Sequence, residues 1–110
     1  MQLEKHMHGD VTVITFDGSL DSGTARAVQT DLDRLVPVDG RVLVDLGKMS
    51  YMSSAGLRVL LLAYRQTKAT GTSIALARLP CDVREVMTAT GFLDFFAVWD
   101  TVEEGVEALA

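Results

Sequence analysis

Apolar residues along the chain follow two different periods, and the period of each segment predicts its secondary structure. Residues 11–16 (VTVITF) and 41–46 (RVLVDL) are rich in β-branched and other apolar side chains, which predicts strands covered at least partly on both faces. Shorter apolar runs at residues 73–77 and 95–99 predict two further strands. Residues 2–8 alternate more loosely and predict an edge strand.

Between these runs, apolar residues recur three and four positions apart, which predicts four helices. Either Asp21 or Ser22 is suited to cap the first of them. In the third helix, Val83, Val86 and Met87 are expected to face the core. The predicted helices are, in chain order, one ending before Pro37, one over residues 55–70 before Gly71, one between Pro80 and Gly91, and one after the cap Thr101 in the capping box TVEE.

The order of these elements, β-β-α-β-α-β-α-β-α, predicts an α/β fold with about four helices. Strands that alternate with helices form parallel pairs joined by right-handed crossovers. The turn dipeptide Gly9-Asp10 joins the first two strands as an opening hairpin, so the predicted sheet is mixed. Residues 17–21 and 47–54 are more polar and are predicted as loops.

Length and composition describe an ordinary globular domain. The chain has 110 residues, and we expect residues 1–110 to form a single domain. Its net charge of −5 argues against sequence-independent binding to nucleic acid and against docking on anionic membranes. The lone Cys81 excludes an internal disulfide and suits a reducing compartment. Neither a signal core nor a membrane span is apparent, so the predicted location is the cytoplasm.

None of the common catalytic constellations is present in the sequence. There is no phosphate-binding glycine motif, and Ser54 lacks the nucleophile-elbow context. The only histidines, His6 and His8, share one face of the predicted edge strand without further metal ligands nearby. We interpret them as exposed polar residues and predict no metal, no cofactor and no enzymatic activity. A hydrolase that uses Ser54 is a remaining alternative, although no base is near it in sequence.

The most informative segment is the one where the third predicted strand gives way to a helix. Ser53 and Ser54 stand at the expected start of that helix, at the sheet edge where α/β proteins form their sites. The simpler interpretation is a helix cap, worth about 1 kcal/mol. The alternative is phosphorylation, because free N–H groups and the positive dipole end tolerate a phosphate there. Such a group would add about −1.5 to −2 charges to the surface.

Five short motifs in the chain resemble those of the STAS family, and within it those of the stand-alone bacterial anti-sigma factor antagonists. These proteins typically carry G-E-L-D before the first helix, a strand that ends in D-L or N-L, a loop with an aromatic residue, and then D-S-S-G-L or D-S-T-G-L. A late T-G-L-like turn follows. The corresponding segments here are residues 18–21 (GSLD), 45–46 (DL), 51–52 (YM), 53–57 (SSAGL) and 90–92 (TGF).

The resemblance implies a STAS-type mixed sheet and a partner-switching role. In that family the unphosphorylated antagonist binds an anti-sigma factor that is also a serine kinase of the HATPase type, which frees the sigma factor. The kinase then uses its own ATP to phosphorylate the antagonist, which dissociates, and a cognate phosphatase reverses the modification. Carried over by position, the acceptor is Ser54, and Asp21 matches a polar position that helps contact the kinase.

Three departures from the family pattern affect the predicted site. Ser53 replaces the acidic residue that precedes the acceptor, so Ser53 is an alternative acceptor. Ala55 cannot serve as a secondary acceptor, and Ser19 replaces the glutamate of the loop. The residues predicted to contact a partner are Asp21, Ser19, Tyr51, Met52, Ser53, Gly56 and Arg58.

Two other regulatory roles remain open at the level of sequence. STAS domains also serve as accessory parts of membrane transporters, which would not require phosphorylation. Partner switching can also control outputs other than sigma factors, such as secretion. We expect a monomer, because the predicted partner surface is the edge that contains Asp21 and Ser54.

Overall fold

The computed structural model describes all residues, 1–110, and its elements follow the predicted order. The five strands are β1 (Gln2–His8), β2 (Val11–Leu20), β3 (Arg41–Met52), β4 (Ser73–Ala77) and β5 (Ala97–Trp99). The four α-helices are α1 (Ala25–Leu35), α2 (Ser54–Thr70), α3 (Cys81–Thr90) and α4 (Val102–Leu109), and a short 3-10 helix covers Phe92–Phe95. None of the helices is long and apolar enough to cross a membrane.

The strands form one mixed sheet in the order β1-β2-β3-β4-β5. The first pair is antiparallel and is joined by a tight turn in which Gly9 has a φ of +61°, a conformation that glycine adopts at little cost. The other three pairs are parallel, as expected where a helix connects successive strands. The predicted α/β mixed sheet is therefore confirmed.

Both faces of the central strands are covered, which explains their continuous apolar runs. On one face, Ile14 and Val44 belong to the larger core, which is filled by residues of α1, α2 and α3. On the other face, Val13 and Leu43 belong to a smaller core, against which Val106 of α4 packs. Alternate residues of one strand thus enter two separate cores, and burial on both faces is confirmed.

The two predicted loops at residues 17–21 and 47–54 are mostly strand, which corrects the sequence prediction. Strands β2 and β3 stay paired as far as Leu20 and Met52, with irregularities in register after Thr15 and after Gly18. Register shifts interrupt the alternation of inward and outward side chains in these strands, and most of the side chains here are exposed or half-buried. Strands can pair through backbone hydrogen bonds without an apolar pattern. For this reason the two segments were predicted as loops.

Two smaller predictions near the C-terminus were wrong. Val86 is 45% exposed, because the core covers only the stripe of α3 that carries Val83 and Met87. The last strand begins at Ala97, because Gly91, at a φ of +79°, turns the chain into the 3-10 helix that contains Phe95. The predicted cap of α4 is confirmed, since the Thr101 hydroxyl accepts a 3.1 Å hydrogen bond from the Glu104 N–H.

Candidate functional site

Strand β3 leads into helix α2 without an intervening loop. The Ser53 N–H donates a 2.9 Å hydrogen bond to the Leu20 carbonyl, and the Ser53 carbonyl accepts one of 3.1 Å from the Leu57 N–H. Ser53 is therefore the N-cap residue by position, with extended backbone angles, and Ser54 is the first residue of the helix. The helix begins one residue before the predicted start.

The two serines lie in different surroundings. Ser54 is exposed, whereas the Ser53 hydroxyl oxygen is enclosed and has no hydrogen-bond partner. Neither side chain caps α2, so the simple helix-cap interpretation does not account for either hydroxyl. The serine that a second protein can reach is Ser54.

Gly56 allows α2 to approach the ends of β2 and β3 closely. A Cβ at this position would lie 2.7 Å from the Leu20 carbonyl oxygen and 2.8 Å from Cγ of Met52. Gly56 is itself buried. It therefore shapes the surface around Ser54 by holding the first turn of α2 against the sheet, and it does not present a surface of its own.

A network of hydrogen bonds fixes the turn between β2 and α1. Asp21 Oδ1 accepts hydrogen bonds from the N–H groups of Gly23 and Thr24, at 2.9 and 3.2 Å. The Thr24 hydroxyl donates to the Ser19 carbonyl at 2.9 Å, and the Ser19 hydroxyl lies 3.0 Å from that of Ser50. The N-cap residue of α1 is Thr24 and no side chain caps the helix, so the predicted cap at Asp21 or Ser22 was wrong. Asp21 instead stabilises the turn that precedes the helix.

Tyr51 and Met52 lie at the end of β3, next to α3. Tyr51 is 53% exposed and Met52 is half-buried. Together with Leu57 and Val86 they line a shallow depression of about 120 Å³. The exposed Tyr51 and Val86 give this edge an apolar character that suits contact with another protein.

A second and larger depression runs along α2 from Ser54 and is called the α2 groove below. Its volume is about 490 Å³. Arg58, another predicted contact residue, is exposed and lies within it. The residues that line the α2 groove are Ser54, Leu57, Arg58, Leu61, Leu62, Arg65, Thr90 and Phe92.

The ion pair of Asp45 with Arg78 was not found from the sequence. The Asp45 carboxylate is 5% exposed and accepts hydrogen bonds from Arg78 Nε and Nη2 at 2.8 and 2.9 Å and from the Gly47 N–H at 3.0 Å. This hydrogen bonding raises the pKa of Arg78 above its ordinary value. The only signal in the sequence was an aspartate inside an apolar run.

Most of the predicted contact residues meet at one edge of the molecule. Ser19, Asp21, Tyr51 and Met52 lie at or just beyond the ends of β2 and β3, beside the start of α2. The histidines do not reach this edge. His6 and His8 pair with the opposite end of β2, at Val13 and Val11, which places them far from Ser54 and counts against a histidine-assisted hydrolase.

Comparisons with known proteins agree with this architecture. Residues 2–105 match the family model of the STAS domain. BtrV of Bordetella bronchiseptica, named as a candidate anti-sigma factor antagonist, is 33% identical over 98% of this chain and 94% of its own length. The chain belongs to the STAS family.

Solved structures show the same fold at lower sequence identity. A candidate anti-sigma factor antagonist from Thermotoga maritima superposes with a TM-score of 0.89 at 16% identity, covering 97% of this chain and 93% of that one. The Bacillus cell fate determinant SpoIIAA in its phosphorylated form superposes with a TM-score of 0.74 at 18% identity, covering 99% and 100%.

Proposed function

We propose that this protein is an anti-sigma factor antagonist in a partner-switching pathway. In its unphosphorylated form it binds an anti-sigma factor that is also a HATPase-type serine kinase. Phosphorylation of Ser54 releases it, and a cognate phosphatase restores the binding form. The chain serves as the substrate and not as the enzyme, acts as a monomer and works in the cytoplasm.

The observation that carries the choice of Ser54 is its exposure beside an enclosed Ser53. In the transfer, the Ser54 hydroxyl oxygen bonds to the γ-phosphorus of the partner's ATP as the bond to ADP breaks. The hydroxyl proton passes to a base of the kinase. In the reverse step, water attacks the phosphorus, the serine hydroxyl is regenerated and inorganic phosphate leaves. The enclosed Ser53 hydroxyl is not accessible to the active site of a kinase in the same way.

The surroundings of Ser54 support release by phosphorylation. Tyr51, Met52 and Val86 form an apolar surface at the edge that carries the hydroxyl. A phosphate at this position adds about two negative charges, which a docked apolar or acidic surface cannot accommodate. The start of α2 tolerates the same charge, because the helix dipole is positive there. The domain therefore stays folded while the contact is lost.

The relatives favour this role over that of a transporter subunit. The relative with 33% identity over nearly the full length is named as an antagonist. SpoIIAA, which shares the fold, has been solved in a phosphorylated form. Whether the pathway ends at a sigma factor or at another output, such as secretion, depends on the partner.

The test is to incubate the protein with ATP and each HATPase-type kinase encoded near its gene, followed by intact-mass measurement and site mapping. Ser54→Ala should abolish incorporation, whereas the matched control Ser53→Ala should retain it. The complex with the kinase should weaken at least tenfold on phosphorylation, as measured by calorimetry.

Three other outcomes would change the conclusion. Modification at Ser53 would keep the switch and overturn the choice of acceptor. Tight binding without modification would indicate a constitutive adaptor. If no such kinase either binds or modifies the protein, the antagonist proposal is wrong and the transporter-subunit alternative remains.

A further inference from the structure

Two arginines of the α2 groove have no acidic partner. Arg58 and Arg65 are both exposed, and neither takes part in the ion pairs or side-chain hydrogen bonds of the protein, which involve Arg34 and Arg78 instead. The chain as a whole carries a net charge of −5. The α2 groove is therefore a local concentration of unpaired positive charge on an acidic protein, and its chemistry suits an anion.

Ser54 lies at one end of this positive surface. Ser54, Arg58, Leu61 and Arg65 are spaced four, three and four residues apart, so they share one face of α2, and all four line the groove. Side chains of an α-helix lean toward its N-terminus. We therefore expect the Arg58 side chain to extend back over the turn that Ser54 begins, whereas Arg65 lies about 16 Å from Ser54 along the helix axis.

We propose that Arg58 binds the phosphate of phosphorylated Ser54 within the same chain. The inference rests on the proposed function, which supplies the phosphate. A guanidinium offers a planar fork of N–H donors that matches two phosphate oxygens. Because the phosphate is attached one turn away, no second molecule has to be ordered to make this contact.

The contact between Arg58 and the phosphate would change the surface that this protein presents to its partner in two ways. The phosphate adds negative charge at the end of the α2 groove, and it withdraws the Arg58 guanidinium from the groove. An acidic group of the partner that had used Arg58 would lose its counter-charge as the repulsion appears. Through Arg58, phosphorylation of Ser54 would therefore also lower the positive charge that the α2 groove offers to the partner.

The experiment uses the full chain with phosphoserine placed at position 54 by genetic encoding. Phosphorus-31 NMR follows the second ionisation of the phosphate, whose pKa is ordinarily about 6. A cation in contact favours the dianion and lowers this pKa, so Arg58→Gln should raise the pKa by at least about 0.3 unit relative to the unsubstituted chain. Arg58→Lys, which keeps the charge but not the fork, should fall between the two.

Two matched controls remove the same charge nearby. Arg65 lies in the same groove, but its distance from Ser54 exceeds the screening length of about 10 Å at 0.1 M salt. Arg65→Gln should therefore change the pKa of the phosphate by less than about 0.1 unit. Arg26 of α1 lines a neighbouring depression together with Arg58, and Arg26→Gln should have a smaller effect than Arg58→Gln. In a second readout, the nitrogen-15 resonance of Arg58 Nε should follow the phosphate titration.

An unchanged pKa in Arg58→Gln, or an effect of Arg65→Gln or Arg26→Gln as large as that of Arg58→Gln, would overturn the inference. The measurement needs no kinase. Its failure would therefore leave the proposed function standing, and a failure of the kinase assay would not affect its result.

Discussion

Ser53 and Ser54 carry the same hydroxyl group on adjacent residues, yet the fold gives them opposite exposure. The first is the N-cap residue that follows β3 and its hydroxyl oxygen is enclosed, and the second begins the helix and is exposed. Gly56, in the same turn, lets the helix lie directly on Leu20 and Met52. At the scale of the residue, the geometry of the site depends on the absence of a side chain at Gly56 as much as on the hydroxyl of Ser54.

Gly56→Ala should therefore destabilise the protein. In an unobstructed helix this change is stabilising by about 0.5 to 1 kcal/mol. Here the new methyl group would meet the Leu20 carbonyl oxygen at 2.7 Å, and overpacking of this kind costs about 1 to 3 kcal/mol. Urea unfolding measures the free energy. Ala55→Gly is the control in the same turn and should lose about 0.5 to 1 kcal/mol by helix propensity alone. A more stable Gly56→Ala variant would show that the helix can move away from the sheet.

At the scale of the element, the ion pair of Asp45 with Arg78 links β3 to the residue that follows β4. Asp45 is the last buried polar residue of its strand, and Arg78 directly follows β4. Arg78 adopts a φ of +54°, and its N–H donates to the Trp99 carbonyl at 3.0 Å. Its side chain crosses Gly47, where a Cβ would overlap the guanidinium. One arginine thus ties together three neighbouring strands.

Arg78→Met should lower the free energy of unfolding by about 1 to 3 kcal/mol, because it leaves the nearly buried Asp45 carboxylate without its partner. The loss is smaller than for a fully enclosed pair, since the Arg78 side chain is 42% exposed. The Asp45→Asn/Arg78→Met double variant should lose less than the sum of the two single variants. Arg34→Met, which breaks an exposed pair with Asp31, is the control and should stay within about 0.5 kcal/mol. Equal losses in the two arginine variants would contradict a structural role for the Asp45 pair.

At the scale of the whole molecule, stability and function occupy different parts of one sheet. Residues 42–46 of β3 are buried on both faces. The edge strand β1 is largely exposed and pairs on one side only. The candidate site lies where β2 and β3 run beyond the part of the sheet that α4 covers, while Leu20 and Met49 still pack into the larger core on the other face. A modification there acts on a surface that the rest of the fold holds in place.

Hydrogen exchange should reproduce this gradient. Amides of residues 42–46 should exchange at least about 100-fold more slowly than those of residues 2–8, because the former open only when the core opens. Phosphorylation of Ser54 should leave the exchange of residues 42–46 unchanged. Exchange followed by mass spectrometry measures both. Increased exchange of residues 42–46 in the phosphorylated protein would show that release involves a loosening of the fold and not a change of surface alone.

Sequence patterns alone predict the order of the elements, the mixed sheet and the two-sided burial of the central strands. These properties follow from local patterns, since β-branched runs, helical spacing and the Thr101 cap act within a few residues of chain. The sequence also narrowed the candidate acceptor to two adjacent serines. The motifs shared with the STAS family pointed to the correct family.

The way in which these elements meet could not be predicted from the sequence and is seen in the three-dimensional structure. The extension of β2 and β3 into the predicted loops depends on backbone hydrogen bonds between segments about 30 residues apart, and the pair of Asp45 with Arg78 joins residues separated by 33 positions. Ser53 and Ser54 differ in exposure where β3 passes into α2, and Gly56 lets α2 lie close against Leu20 and Met52. Hydrophobic period is a local property, whereas strand pairing, ion pairing and close approach depend on distances in space that the period does not encode.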